Sequence, residues 1–122
     1  LDIQNPVIQL CLQGTQAEFE HRLEDAWALY QQAWDTAGDD YEACVAAHYL
    51  ARGQKNPADT LYWNEESLRR ADAVGDERVK DFYPSLYLSL GQAHELSGSQ
   101  TEAQRFYALA AALGFPHQAG EK

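Results

Sequence analysis

The sequence predicts an all-α chain of three antiparallel helix pairs. Three observations carry this: a helix-favouring composition, legible helix starts and stops, and a residue pattern that returns at nearly constant spacing. At 122 residues the chain fits one domain, 1–122, large enough to bury a core. Hydrophobic residues make up 45% and aromatics 11%, which argues against wholesale disorder. β-Branched residues are few beside alanine, leucine, glutamine and glutamate, and that balance favours helix over strand.

The helices are read from their ends. Asn5-Pro6 and Asn56-Pro57 each place a capping side chain before a proline in the first helical turn, where the missing N–H costs nothing. Asp39 with Glu42, and Ser99 with Glu102, have the spacing of a capping box. Gly38, Gly53, Gly75, Gly98 and Gly114 each follow a helix-like stretch, where a left-handed residue is wanted. These signals give six helices, near 6–20, 23–37, 40–52, 57–74, 77–97 and 100–113, with joints short enough to make neighbours antiparallel. Pro84 falls inside the fifth segment, so that helix either kinks there or begins there after a separate turn, and the kink is the preferred reading. Leu23, Ala26, Trp27, Tyr30, Ala33 and Trp34 form a buried stripe on the second helix. Ala103, Phe106, Tyr107, Ala110 and Leu113 do so on the last.

The repeat is clearest in the last third. Tyr87, Leu90-Gly91 and His94 are followed by Ala103, Tyr107 and Ala110 on the next helix. The first third carries Leu10, Gly14 and Ala17, then Ala26, Tyr30 and Ala33, with Gly14 to Ala26 and Gly91 to Ala103 both 12 positions apart. The middle is degenerate, offering Gly53, Asn64, Leu68 and Ala71, yet Ala33 to Ala71 is 38 positions and Ala71 to Ala110 is 39. This pattern resembles the tetratricopeptide repeat, whose standard unit is about 34 residues; the units here are similar to its longer variants in bacterial regulators and kinesin light chains. The resemblance spans about residues 5 to 113, with repeats at about 5–38, 39–75 and 76–114 and a tail at 115–122. It implies a right-handed α-solenoid in which Gly14, Gly91 and the alanines let paired helices approach while Tyr30 and Tyr107 fill the space beside them.

What the resemblance implies for function is a concave groove that binds an extended peptide or a partner's helix. Carried over position by position, the groove takes Ile8, Cys11, Thr15 and Glu18 from the first helix and Tyr49 and Arg52 from the third. The fifth adds Ser85, Leu88, Gln92 and Glu95. This partly apolar strip with two acids suits a peptide bearing an aliphatic or basic side chain. The lysine, asparagine and arginine clamp of chaperone-binding relatives is absent, since Cys11-Leu12, Tyr49-Leu50 and Leu88-Ser89 stand in its places.

Charge and motif searches narrow the classes further. A formal net charge of −10 repels a phosphate backbone, so no nucleic-acid partner is expected. Arg52 with Lys55, Arg69 with Arg70, and Arg78 with Lys80 read as solvated faces among acids. Cys11 and Cys44 lack CxxC spacing and read as buried thiols of a reducing cytosol; without an apolar run or leader, a cytoplasmic location and no membrane partner are expected. His94-Glu95 opens like a zinc-protease motif, but Gly98 stands where the second histidine belongs, so packing is the better account of His94. His48 beside Tyr49 is the one histidine weighed for titration near neutral pH on the groove, as the minority reading. Nucleophile elbows, Walker loops, dinucleotide-binding loops and adenine-methyltransferase signatures are missing. No catalysis, metal or cofactor is expected.

Three functions follow in order. The first is a protein or peptide interaction module, serving as a regulatory adaptor. The second is a ligand- or peptide-sensing regulator using Tyr49, Tyr83 and the Pro84 kink. The third is structural self-assembly, because the apolar end, YALAAALGF, needs covering either by the tail or by a second copy in a homodimer.

Overall fold

The computed structural model describes residues 2–115. Among them there is no strand, and the helices are α1 (Pro6–Phe19), α2 (Leu23–Thr36), α3 (Asp40–Leu50), α4 (Pro57–Val74), α5 (Glu77–Lys80), α6 (Tyr83–Leu96) and α7 (Gln100–Ala112). A 3-10 turn, Ala51–Gly53, follows α3. Helices α1 and α2, α3 and α4, and α6 and α7 pack as pairs, and the pairs stack through α2 on α3 and α4 on α6, with α1 also against α3.

Local chemistry sets most of the ends. Asn5 Oδ1 accepts from the Val7 N–H at 2.8 Å, and its amide donates to Glu42 at 2.8 Å, tying the start of α1 to the start of α3. Asp39 accepts from the Glu42 N–H, and Asn56 from the Asp59 N–H, each at 2.8 Å. Glu42 in return accepts from the Gly38 N–H at 2.8 Å, one residue earlier than a strict capping box requires. Ser99 makes no side-chain cap; its N–H donates to the His94 carbonyl at 2.8 Å and Glu102 pairs with Arg105.

Of the five glycines expected to end helices, Gly75, Gly98 and Gly114 adopt positive φ, and Gly38 and Gly53 do not. Gly53 serves by size instead, since a Cβ there would stand 2.9 Å from Cδ2 of Trp27. His21 takes the left-handed place between α1 and α2 with φ 63°, and the Arg22 N–H behind it closes on the Ala17 carbonyl at 2.8 Å. Gly98 holds the equivalent turn between α6 and α7, where Ser99 closes on His94.

The kink expected at Pro84 is not formed. Asp76 caps the separate short helix α5 by accepting from the Arg78 N–H at 2.9 Å, the Phe82 N–H closes on the Val79 carbonyl, and α6 begins at Tyr83. Pro84 thus lies in a first turn, where a missing N–H leaves no carbonyl unpaired.

The core has two parts. Val7, Ile8, Cys11, Ala33, Tyr41, Cys44, Val45, Ala46, Ala71, Val79 and Leu86 fill the centre of the stack. Ala17, Ala26, Tyr30 and Leu50 form a second cluster against Trp27, Trp34, Tyr49 and Trp63. Leu23 and Leu113, expected on buried stripes, are exposed.

In the outer pairs a tyrosine takes the place that a small residue opens. A Cβ on Gly14 would stand 2.7 Å from Cδ1 of Tyr30, and one on Gly91 the same distance from Cδ1 of Tyr107. Each phenol then donates to a glutamate one turn beyond the glycine, Tyr30 to Glu18 at 2.7 Å and Tyr107 to Glu95. The middle pair has no such tyrosine: eight places after the residues that precede α2, α4 and α7 (Arg22, Asn56 and Ser99) stand Tyr30, Asn64 and Tyr107.

Candidate functional site

Of the residues expected to face a groove, two are withdrawn into the core. Ile8 and Cys11 are 0% exposed, because α3 packs on α1 over them with Tyr41, Cys44 and Val45. Neither Ile8 nor Cys11 offers surface in this arrangement. Thr15, Arg52, Ser85, Gln92 and Glu95 are exposed, while Glu18, Tyr49 and Leu88 are half-buried.

The two expected acids are already engaged. Glu18 accepts from Tyr30 and from the Arg52 Nε at 2.9 Å, so its charge is matched within the protein across the first and second pairs. The Arg52 hydrogen bond, with help from Tyr30, holds the Glu18 carboxyl below its usual value against the opposing effect of burial. Burial raises the Tyr30 phenol to about 12, and it also raises Tyr49, whose ring stacks on Tyr30 at 5.4 Å. The acidic attraction expected of this strip therefore falls mainly to Glu95, which accepts from Tyr107.

Thr15, Glu18 and Arg52 meet with Phe19 around a shallow basin of about 230 Å³. Arg52 and Gln92 also line a cleft of about 180 Å³ between α3, α4 and α6, together with His48, Ala51, Thr60, Asn64, Ser89, Ala93 and Leu96. Cys11, Tyr49, Ser85, Leu88 and Glu95 line neither. Thr60, Asn64 and Ser89 were not anticipated, although the break in the glycine–glutamate–tyrosine pattern at the middle pair is the signal that leads to them.

His48 does not titrate near neutral pH. Burial, and secondarily the charge of Arg52, lower its pKa to about 4. Its ring meets Phe82 edge-on at 4.9 Å and Tyr49 at 5.5 Å, and Nδ1 is buried without a hydrogen-bond partner. His94 is 8% exposed and stacks on Phe106 at 5.5 Å, so it packs as an aromatic would.

A wider depression of about 660 Å³ lies by Trp34, Asp35, Gly38, Asp39, Asp40 and Arg70. Asp39 there caps α3, and Asp40 pairs with Arg70 at 2.8 Å. Arg70 also joins Arg69 in holding Glu66, whose charge survives burial because both guanidiniums bond to it. These acids have structural employment.

Both thiols are free and 0% exposed, and burial raises Cys11 to about 12 and Cys44 to about 11. Among the described residues no cluster of three or more histidines, cysteines or acids could hold a metal ion, and no helix is long and apolar enough to cross a membrane. Comparison with protein-family models, curated proteins and solved structures finds no match to this chain.

Proposed function

We infer that the chain is a non-catalytic interaction module, a tetratricopeptide-like right-handed superhelix of three helix pairs within one domain. In this reading it is cytoplasmic and acts as an adaptor that holds a protein or peptide segment. The supporting observation is the construction common to the outer pairs. Gly14, Glu18 and Tyr30 reappear as Gly91, Glu95 and Tyr107, each 77 positions on, with the same close approach and the same phenol-to-carboxylate bond. A helix pair closed in this way buries one face and stacks through another, which is the physical basis of solenoids that present long surfaces to partners.

The binding face in this reading runs over Thr15, Glu18, Tyr49, Arg52, Ser85, Leu88, Gln92 and Glu95. Partners are captured from native lysate on the wild type and on a Ser85→Arg/Glu95→Arg double variant, with folding checked by circular dichroism. Loss of a specific partner from the double variant supports the reading. A partner retained equally by both proteins places the interface elsewhere. Self-assembly has its own motive in Leu109, Leu113 and Phe115, which are 36%, 49% and 53% exposed at the end of the stack. Fold-back of the tail to cover them concerns residues 116–122, outside the described residues. Sedimentation at several concentrations tests a dimer directly.

A further inference from the structure

The two joints of the stack differ at equivalent positions. Counted from the residues that precede α3 and α6, Asp39 and Phe82, Tyr49 corresponds to Gln92 rather than to Leu88 as the repeat spacing pairs it, Ala46 to Ser89, and Gly53 to Leu96. Counted in the same way from Arg22 and Asn56, which precede α2 and α4, Ala26 corresponds to Thr60 and Tyr30 to Asn64, so the register at this joint differs from the 38-residue spacing of the sequence. At the first joint the place is filled, because Tyr49 stacks on Tyr30 and Trp27 closes over Gly53. At the second joint Gln92 and Asn64 stand where Tyr49 and Tyr30 do, and beside the His48–Phe82 contact a cleft of about 180 Å³ takes the place of the stacked rings.

Its walls select by chemistry. Asn64 is 4% exposed and spends one amide N–H on the Thr60 carbonyl at 3.1 Å, which leaves its carboxamide oxygen to accept. Gln92 and Ser89 can donate or accept, His48 brings a neutral ring, and Ala51, Ala93 and Leu96 supply apolar contact. No carboxylate lines the cleft to attract a cation, and its single cation, Arg52, is already matched by Glu18. An anion would also meet the field of a chain of net charge −10. The volume is below the roughly 300 Å³ at which drug-sized ligand pockets begin, and it suits one side chain or fragment.

We propose that this cleft, walled by His48, Asn64, Ser89, Gln92, Ala93 and Leu96, binds an uncharged carboxamide-bearing group: an asparagine or glutamine side chain of a docked segment, or a small free amide. The first source rests on the interaction-module reading; the second does not.

The probes are benzamide, its anionic analogue benzoate and its cationic analogue benzylammonium, titrated into the isotopically labelled full chain. The readout is the chemical shift of the Asn64 and Gln92 amides and the His48 imidazole. Benzamide is expected to give saturable shifts in the millimolar range, about tenfold tighter than either charged analogue. Gln92→Tyr, which installs the residue type of the first joint, is expected to abolish them. Asn64→Ala, which removes the buried carboxamide, is expected to weaken them about tenfold. Equal response to benzoate, persistence in Gln92→Tyr, or no saturable shift because the cleft holds water only, overturns the proposal. A partner lost on Ser85→Arg/Glu95→Arg with no benzamide response overturns the cleft alone. Benzamide binding with no groove-dependent partner supports the cleft as a free-amide site and counts against the groove.

Discussion

Lowering the pH should weaken this protein through His48. The imidazole is neutral in the fold, with a pKa lowered from 6.5 to about 4, mainly by burial and further by Arg52. The unfolded chain protonates near 6.5, so it binds more protons than the fold between those values. The stability this group contributes is therefore fully present above 6.5 and is lost as pH falls towards 4. At about 1.4 kcal/mol per pH unit, the shift sets an upper limit of about 3 kcal/mol. Paired carboxylates such as Glu18 and Glu66, whose pKa values are lowered, lose stability over an overlapping acidic range, so the wild-type profile alone does not isolate the histidine. Urea denaturation of wild type and His48→Gln at intervals between about pH 4.5 and 7.5 does. The difference between the two should shrink or reverse as pH falls, with a slope of at most about 1.4 kcal/mol per unit. Parallel profiles would refute the account, since they would mean that His48 titrates alike in both states.

Three further outcomes follow from contacts already described. Gly14→Ala and Gly91→Ala should each destabilise by about 1–2 kcal/mol in urea, because driving Cβ into a tyrosine ring outweighs the gain in helix propensity; unchanged midpoints would mean that the rings yield freely. Glu18→Gln should cost about 1 kcal/mol at low salt and less at high salt, since Arg52 is 54% exposed and its pairing is screened. A loss unaffected by salt would assign the effect to the Tyr30 hydrogen bond instead. Iodoacetamide near pH 8 should leave Cys11 and Cys44 unmodified until denaturant is added, as read by mass spectrometry; rapid labelling of either thiol in the native protein would contradict their burial.

The helix pairs were readable because their signals are local. Asn5, Asp39 and Asn56 cap where expected, each by a bond to a residue two or three places on. The left-handed turn at His21 was not readable alone, for that conformation usually costs a residue with a Cβ about 1–2 kcal/mol. Only its equivalence to Gly98 points to it. Pro84 is compatible with either a kink or a start, and the choice turned on Asp76 capping a separate turn. The burial of Cys11 was not legible, because a repeat register says which way a position faces but not which helix lies over it. The cleft at the second joint was less legible still, since it exists by what Gln92 and Asn64 do not fill.

The contrast between the joints also bears on how the stack comes apart. In an array whose units touch only their neighbours, cooperativity is set by the weakest coupling along the line. The first joint joins its pairs by Tyr30–Tyr49 stacking, Trp34–Trp63 edge contact at 4.9 Å, Trp27 over Gly53 and the Glu18–Arg52 pair. The second has the Tyr83 hydroxyl on Asp72 at 2.6 Å, the His48–Phe82 edge contact at 4.9 Å, and Val79 and Leu86 in the shared core, but among the described residues no ion pair and no stacked rings beside the cleft. The charged and stacked contacts that supplement this shared core are thus concentrated at the first joint. If any pair parts from the array first, this distribution makes it the third, which Gly91 and Tyr107 close on itself.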